Sequence, residues 1–125
     1  MLALSIRQPY AEEILRRIKR IEYRTRPVSD AIIGRKFYIY AATKFPSARD
    51  VRKYCKLTWK QGNLPVGVIV GTARISRCTR GGKYYEWHLT DAKRLKRPLN
   101  PKNQPQPSWF HPFRVVNSAH KNTGR

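Results

Sequence analysis

At 125 residues the chain has room for one domain with its own core, and an apolar content of 40%, with 11% of residues aromatic, sets it apart from disordered sequences. Its 27 Lys and Arg against 7 Asp and Glu leave a formal charge of +20, shared evenly between the two halves, which makes nucleic acid the first partner class to consider, ahead of a merely solvated surface. No apolar run approaches the ~20 residues of a membrane span, and Met1 to Ile6 is too short for a signal peptide, so the expectation is a soluble, monomeric, cytoplasmic protein.

Met1 to Ile6 reads as a first strand. Pro9 then suits the start of a helix, with Glu12 and Glu13 in its early turns and Arg16, Arg17, Lys19 and Arg20 toward its end, near Lys19. Tyr10, Ala11, Ile14, Leu15 and Ile18 form an apolar stripe, leaving Glu12, Glu13, Arg16 and Arg17 to the wet face, where Glu12 to Arg16 and Glu13 to Arg17 are favourable i,i+4 pairs. Arg20 to Arg24 alternates like a half-buried strand, Ile21 and Tyr23 on one face and Glu22 and Arg24 on the other, and Arg26-Pro27 ends it.

Lys36 to Ala41 is a strand with Phe37, Ile39 and Ala41 facing the core and Tyr38 and Tyr40 pointing to a second element or a ligand. Ser47 with Asp50 starts a second helix, whose stripe runs through Ala48, Val51 and Cys55 to Thr58 or Trp59. Val66 to Ile75 is the most apolar run, a central strand buried on both faces, with Gly67 and Gly71 allowing bending or close approach. Gly81-Gly82 is a turn and Lys83 to Leu89 an aromatic strand, with Tyr85, Trp87 and Leu89 on one face. Leu95 to Pro107, rich in proline and basic residues, is an extended edge or loop, Ser108 to Arg114 a short last strand, and residues 116–125 a frayed tail behind a single domain over 1–115. The order β, α, β, β, α, β, β, β gives an α+β fold: a curved mixed sheet or small barrel flanked by two helices.

The chemistry-bearing residues narrow the function. His88, His111, His120, Cys55 and Cys78 have no ligand spacing, so no metal is expected, and the cysteines read as reduced and structural. The glycines of the central strand lack the GxGxxG pattern, and no cofactor is implied. Lys19, Glu22 and Arg24 place one carboxylate between two cations, which keeps it ionised and fits it to act as a base, to accept from a nucleobase edge, or simply to anchor an ion-pair strip. Trp59, Tyr84, Tyr85, Trp87, Trp109 and Phe110, interleaved with Lys and Arg, are each core candidates, with one or two available as stacking platforms for unpaired bases.

Leu4-Ser5-Ile6-Arg7-Gln8-Pro9-Tyr10-Ala11, Ile18 to Thr25 and Gly34 to Ile39 together resemble the ASCH domain (activating signal cointegrator homology), matching its "LS-x-x-QPW/Y-A" opening and its "GxK-x-x-E-x-R" continuation, with Arg17 where glycine is usual. Pro65 to Gly71 resembles the family's central strand, and the likeness covers most of residues 2 to 113. The resemblance implies a PUA-like β-barrel with a cleft beside the first helix, and binding of RNA or DNA. One bacterial branch, similar at "GRK-x-x-T-x-R", hydrolyses N4-acetylated cytidine with a lysine, a threonine and a glutamate. Lys19 and Arg24 fall on its lysine and arginine, Glu22 stands where it has threonine, and Glu86 is a candidate for its glutamate.

The favoured function is thus an RNA- or single-strand-binding module. Gln8 would read a base edge, Tyr10 stack or wall the cleft, Lys19 and Arg24 donate, and Glu22 accept, with Lys44 and the Lys93 to Lys102 segment, including Lys96 and Arg97, tracking the backbone. The alternative is a small hydrolase, a ribonuclease or an N4-acetylcytidine amidohydrolase, with Lys19 and Glu22 as its acid-base pair.

Overall fold

Six strands form one mixed sheet in the order β2-β5-β4-β3-β1-β6. The structure, a computed structural model, describes residues 1–56 and 62–114; the expected tail and the Thr58/Trp59 end of the second helix's stripe lie outside them. In chain order the elements are β1 (Ala3–Arg7), α1 (Tyr10–Leu15), β2 (Ile21–Arg24), β3 (Lys36–Ala42), α2 (Ala48–Tyr54), β4 (Val68–Gly81), β5 (Tyr84–Leu99) and β6 (Trp109–Phe110).

The expected barrel does not close. Its end strands, β2 and β6, are not paired, because β6 is only two residues long between Pro107 and Pro112 and has no ladder to offer. Side chains bridge the gap instead. Arg24 on β2 donates to the Ser5 carbonyl on β1 at 3.0 Å, and the Trp87 and Trp109 rings stack at 5.9 Å with the Trp87 indole donating to the Arg26 carbonyl.

Phe37, Ile39 and Ala41 of β3 are buried as their alternation requires, and Phe37 meets Trp109 edge-on. Tyr40, on the opposite face, packs with Ala3, Ile69 and Phe110 in a second cluster, to which Tyr38 adds its contact with Phe113. The apolar run expected as a central strand becomes β4, between β3 and β5, with residues 69–73 and 75 buried. Gly71 sits at a register shift of both ladders, where a Cβ would lie 2.6 Å from the Lys93 carbonyl oxygen and collide with Leu15 Cδ2. Its missing side chain is what lets α1 and β5 approach β4 together. β5 is longer than the aromatic stretch alone implied. Its first part pairs with both β2 and β4, whereas the stretch from Lys93 to Leu99 pairs with β4 only, an edge where Pro98 is tolerated.

Two local expectations invert. Glu12 and Glu13, placed on the wet side of α1, are 4% and 2% exposed. The helix is shorter than its stripe suggested, ending at Leu15, and Ile18 is left 37% exposed. Arg17 takes φ +62°, the left-handed turn that explains why glycine is usual there, and its guanidinium donates to the Ala92 carbonyl at 3.3 Å. On β2, Glu22 is 9% exposed and Tyr23 53%, so the charged face of the strand looks in and the aromatic one out.

Glu12 is held by Arg94 of β5 in a two-point grip of 2.7 and 2.9 Å, and by Arg16 at 2.7 Å, the pairing its i,i+4 spacing foretold. The Arg94 hydrogen bonds, opposed by burial, hold its carboxyl below the ordinary 4.5. A depressed carboxylate contributes stability above its unfolded pKa and loses it as pH falls through the folded one. Arg94→Met should therefore cost about 1–2 kcal/mol at pH 7, discounted because the arginine is half exposed. The deficit should shrink as pH falls below 4.5 and Glu12 becomes protonated, read as urea midpoints over a series of pH values.

Candidate functional site

The segment from Tyr10 to Tyr23, flanked by Gln8 and Arg24, supplies the floor and one wall of a cleft of about 930 Å³. It enters through the cis Gln8-Pro9 bond, and Gln8 turns inward, fully buried. Its side-chain oxygen accepts from the Glu12 N–H at 2.9 Å, the capping bond for which Pro9 has no polar side-chain atom, and its amide donates to the Pro65 carbonyl at 3.0 Å. Gln8 thus braces the helix start from behind the cleft.

Tyr10, Lys19 and Glu22 do come together. The Lys19 ammonium lies 3.5 Å from Glu22 Oε1 and within 5.5 Å of the ring centroids of both Tyr10 and Tyr23. Arg24 grips the other Glu22 oxygen at 2.8 Å, sits over the Trp87 ring and reaches Ser5, so it spans the gap between the sheet's ends and is not among the cleft-lining residues. Lys44, Lys96 and Arg97 are exposed and lie away from the cleft lining.

Asp50, Tyr54, Lys56 and Tyr84 line the cleft from elsewhere in the chain, and Glu13 lines it from α1 itself. Glu13 accepts from the Lys56 N–H at 2.6 Å through its carboxylate, and from the Ile18 and Lys19 N–H groups through its carbonyl, tying the loop after α2 and the turn after α1 to one residue. Its apparent place on the wet face of a helix hid it; two adjacent glutamates ahead of a turn were its one local sign. The Ser47 side chain caps α2 by accepting from Asp50 N–H, as its spacing indicated, but Cys55 is extended and the helix stops at Tyr54.

Burial pushes the Tyr10 phenol up to about 12, helped by Cys55 and Asp50 close by, and it hydrogen-bonds the Cys55 thiol. The Cys55 thiol is itself raised to about 11, by burial and then by Glu13, with Tyr10 and Lys19 pulling back only in part. Both stay protonated at neutral pH, so neither serves as a ready nucleophile. Both cysteines are free of disulfides, and no group of three or more His, Cys, Asp or Glu side chains among the described residues could hold a metal ion. Among those residues no helix is long and apolar enough to cross a membrane.

The profile of the ASCH domain matches residues 4–117. The chain belongs to the ASCH domain family. Solved structures agree on the fold: ASCH from Zymomonas mobilis superposes with a TM-score of 0.61 at 16% identity, covering 98% of this chain and 92% of that one. A tyrosine-to-phenylalanine variant of that protein gives 0.60 at 16% identity over 98% and 96%, and a serine-to-alanine variant 0.60 at 15% over 98% and 94%. A search of curated protein sequences finds no match. The open six-stranded sheet with two helices is this ASCH domain's version of the PUA-like fold, and the cleft lies beside the short α1 that follows its "QPY" opening.

Proposed function

We propose that this ASCH domain binds nucleic acid, RNA or single strands, by admitting a base into the cleft between α1, β2 and α2. The observation that carries this reading is the meeting of carboxylates, cations and aromatic rings there. The carboxylates of Glu13, Glu22 and Asp50 line the cleft together with Tyr10, while Lys19 is held between two rings. A carboxylate accepts from the exocyclic amine or ring N–H of a base and repels phosphate, so the base goes to the carboxylates and the adjoining phosphate to Arg20 and Lys56, which share the lining. The formal charge of +20 supplies the long-range attraction. Glu22 is the acceptor for a base edge, Lys19 a charge-assisted donor, and Arg24 the group that aims Glu22. Gln8 sets the helix start on which Tyr10 stands. Lys44, Lys96 and Arg97 lie further out, where a longer strand's phosphates would run.

The test is the salt dependence of binding to a fluorescent single-stranded RNA. If about five to eight phosphates are neutralised, the log-log slope should be roughly −4 to −7. Lys19→Ala should weaken binding about tenfold, the loss of a charge-assisted contact. A slope near zero rules the reading out. A hydrolase is the second reading, favoured by one observation, the 3.5 Å Lys19–Glu22 pair inside the cleft, which could pass a proton. Turnover of N4-acetylcytidine or of labelled RNA that Glu22→Ala removes would establish it in place of simple binding.

A further inference from the structure

Six large apolar side chains stand out as exposed among the described residues, and four of them, Ile18, Tyr23, Tyr54 and Tyr84, line this one cleft. The three tyrosines come from β2, α2 and β5 and are 53%, 60% and 40% exposed. Each carries a lysine ammonium over its ring: Lys19 at 5.3 Å from the Tyr23 centroid, Lys53 at 5.2 Å from that of Tyr54, and Lys83 at 5.5 Å from that of Tyr84. Tyr23 pairs with Glu86 across the β2–β5 ladder, so Tyr84, two residues earlier on β5, is its diagonal neighbour on the same face, about 7–8 Å away.

We propose that the three tyrosine–lysine pairs are nucleotide subsites on the rim of the cleft, each taking one unpaired base on its ring, with phosphates at the Lys53 and Lys83 ammoniums and Lys19, paired with Glu22, left as a donor to the base. This rests on the nucleic-acid reading above and narrows it to a single strand, gripped by at least three nucleotides with little sequence preference. An exposed ring gains nothing from a duplex, whose base faces are already covered by their neighbours, whereas an unpaired base of any kind offers a π-face. A ring alone would equally suit an apolar protein partner. A ring with an ammonium beside it, repeated on three separate elements, suits a polymer that alternates flat apolar groups with negative charge. The diagonal placement of Tyr23 and Tyr84 puts two subsites within the reach of adjacent nucleotides, and Tyr54 continues the path across the mouth onto α2.

Anisotropy titrations of the full chain at fixed salt decide it, using a labelled single-stranded RNA, the same RNA annealed to its complement, and an abasic oligonucleotide of equal length. The single strand should bind at least tenfold tighter than the other two. Tyr23→Ala, Tyr54→Ala and Tyr84→Ala should each weaken it by about 5- to 100-fold, the range found for loss of one base–aromatic stack, while the corresponding phenylalanine variants stay within about threefold of wild type. The three side chains are exposed, so the alanine variants should keep the wild-type circular dichroism and melting curve. Equal binding of duplex and single strand, or alanine variants within twofold of wild type, overturns the proposal while the salt-dependent binding of the previous section still stands. Absence of binding to all three probes overturns both.

Discussion

Replacing Arg24 with methionine should destabilise the protein by about 3 kcal/mol, the low end for removing one partner of a buried ion pair, because the arginine side chain keeps 23% of its exposure. Three losses combine. Glu22, 11% exposed at its side chain, is left with only the more distant Lys19; the Ser5 carbonyl loses its donor; and the Trp87 ring loses the guanidinium above it. Arg24→Lys keeps the charge but cannot span the Glu22 carboxylate and the Ser5 carbonyl with one planar fork, so its loss should be intermediate. Pairing Arg24→Met with Glu22→Leu removes the stranded carboxylate and should recover more than half of the deficit. Urea unfolding followed by tryptophan fluorescence reports on it directly, since Trp87 and Trp109 stack at the same gap. An Arg24→Met midpoint equal to wild type would show that the two sheet ends do not need the bridge.

Gly71→Val should be at least as damaging, about 3 kcal/mol or more, with a drop in melting temperature of roughly 10 °C. The clash has two parts that differ in kind. Leu15 Cδ2 belongs to a side chain and can rotate away, but the Lys93 carbonyl is backbone of the neighbouring strand and cannot move without breaking the β4–β5 ladder. Trimming Leu15 to alanine in the Gly71→Val background should therefore recover little. Full rescue by that second substitution would place the strain in the helix contact and contradict the backbone argument.

The two sites differ in how visible they were beforehand. β3 and β4 were legible from local pattern: alternation in one and an apolar run rich in β-branched residues in the other correctly locate Phe37, Ile39, Ala41 and the buried stretch of β4. The Lys19–Glu22 pair was legible too, since three residues of spacing bring the groups together locally. α1 and β2 misled for the opposite reason. Glu12 is buried because Arg94, 82 residues later, comes to meet it, and Glu22 because Arg24 carries it toward Ser5 and Trp87. Short-range periodicity assigns a glutamate to water and has no means of knowing that a distant cation neutralises it. The same holds for the cleft rim, where Tyr54 and Tyr84 reach Tyr23 only through tertiary packing. Barrel closure failed on a detail of length: a last strand of two residues between prolines leaves closure to side chains.

α2 contributes Tyr54 and Asp50 to the cleft yet has no buried residue of its own. Floor and rim are for that reason under separate constraints. Substitutions at Glu13 or Glu22 perturb groups that also hold the fold, so the chemistry at the bottom of the cleft is tied to folding. Substitutions along α2 meet solvent on most sides and can change what the cleft admits while the core is left as it was. On the nucleic-acid reading proposed above, substitutions within the seven residues of α2 alter ligand preference and leave the fold in place.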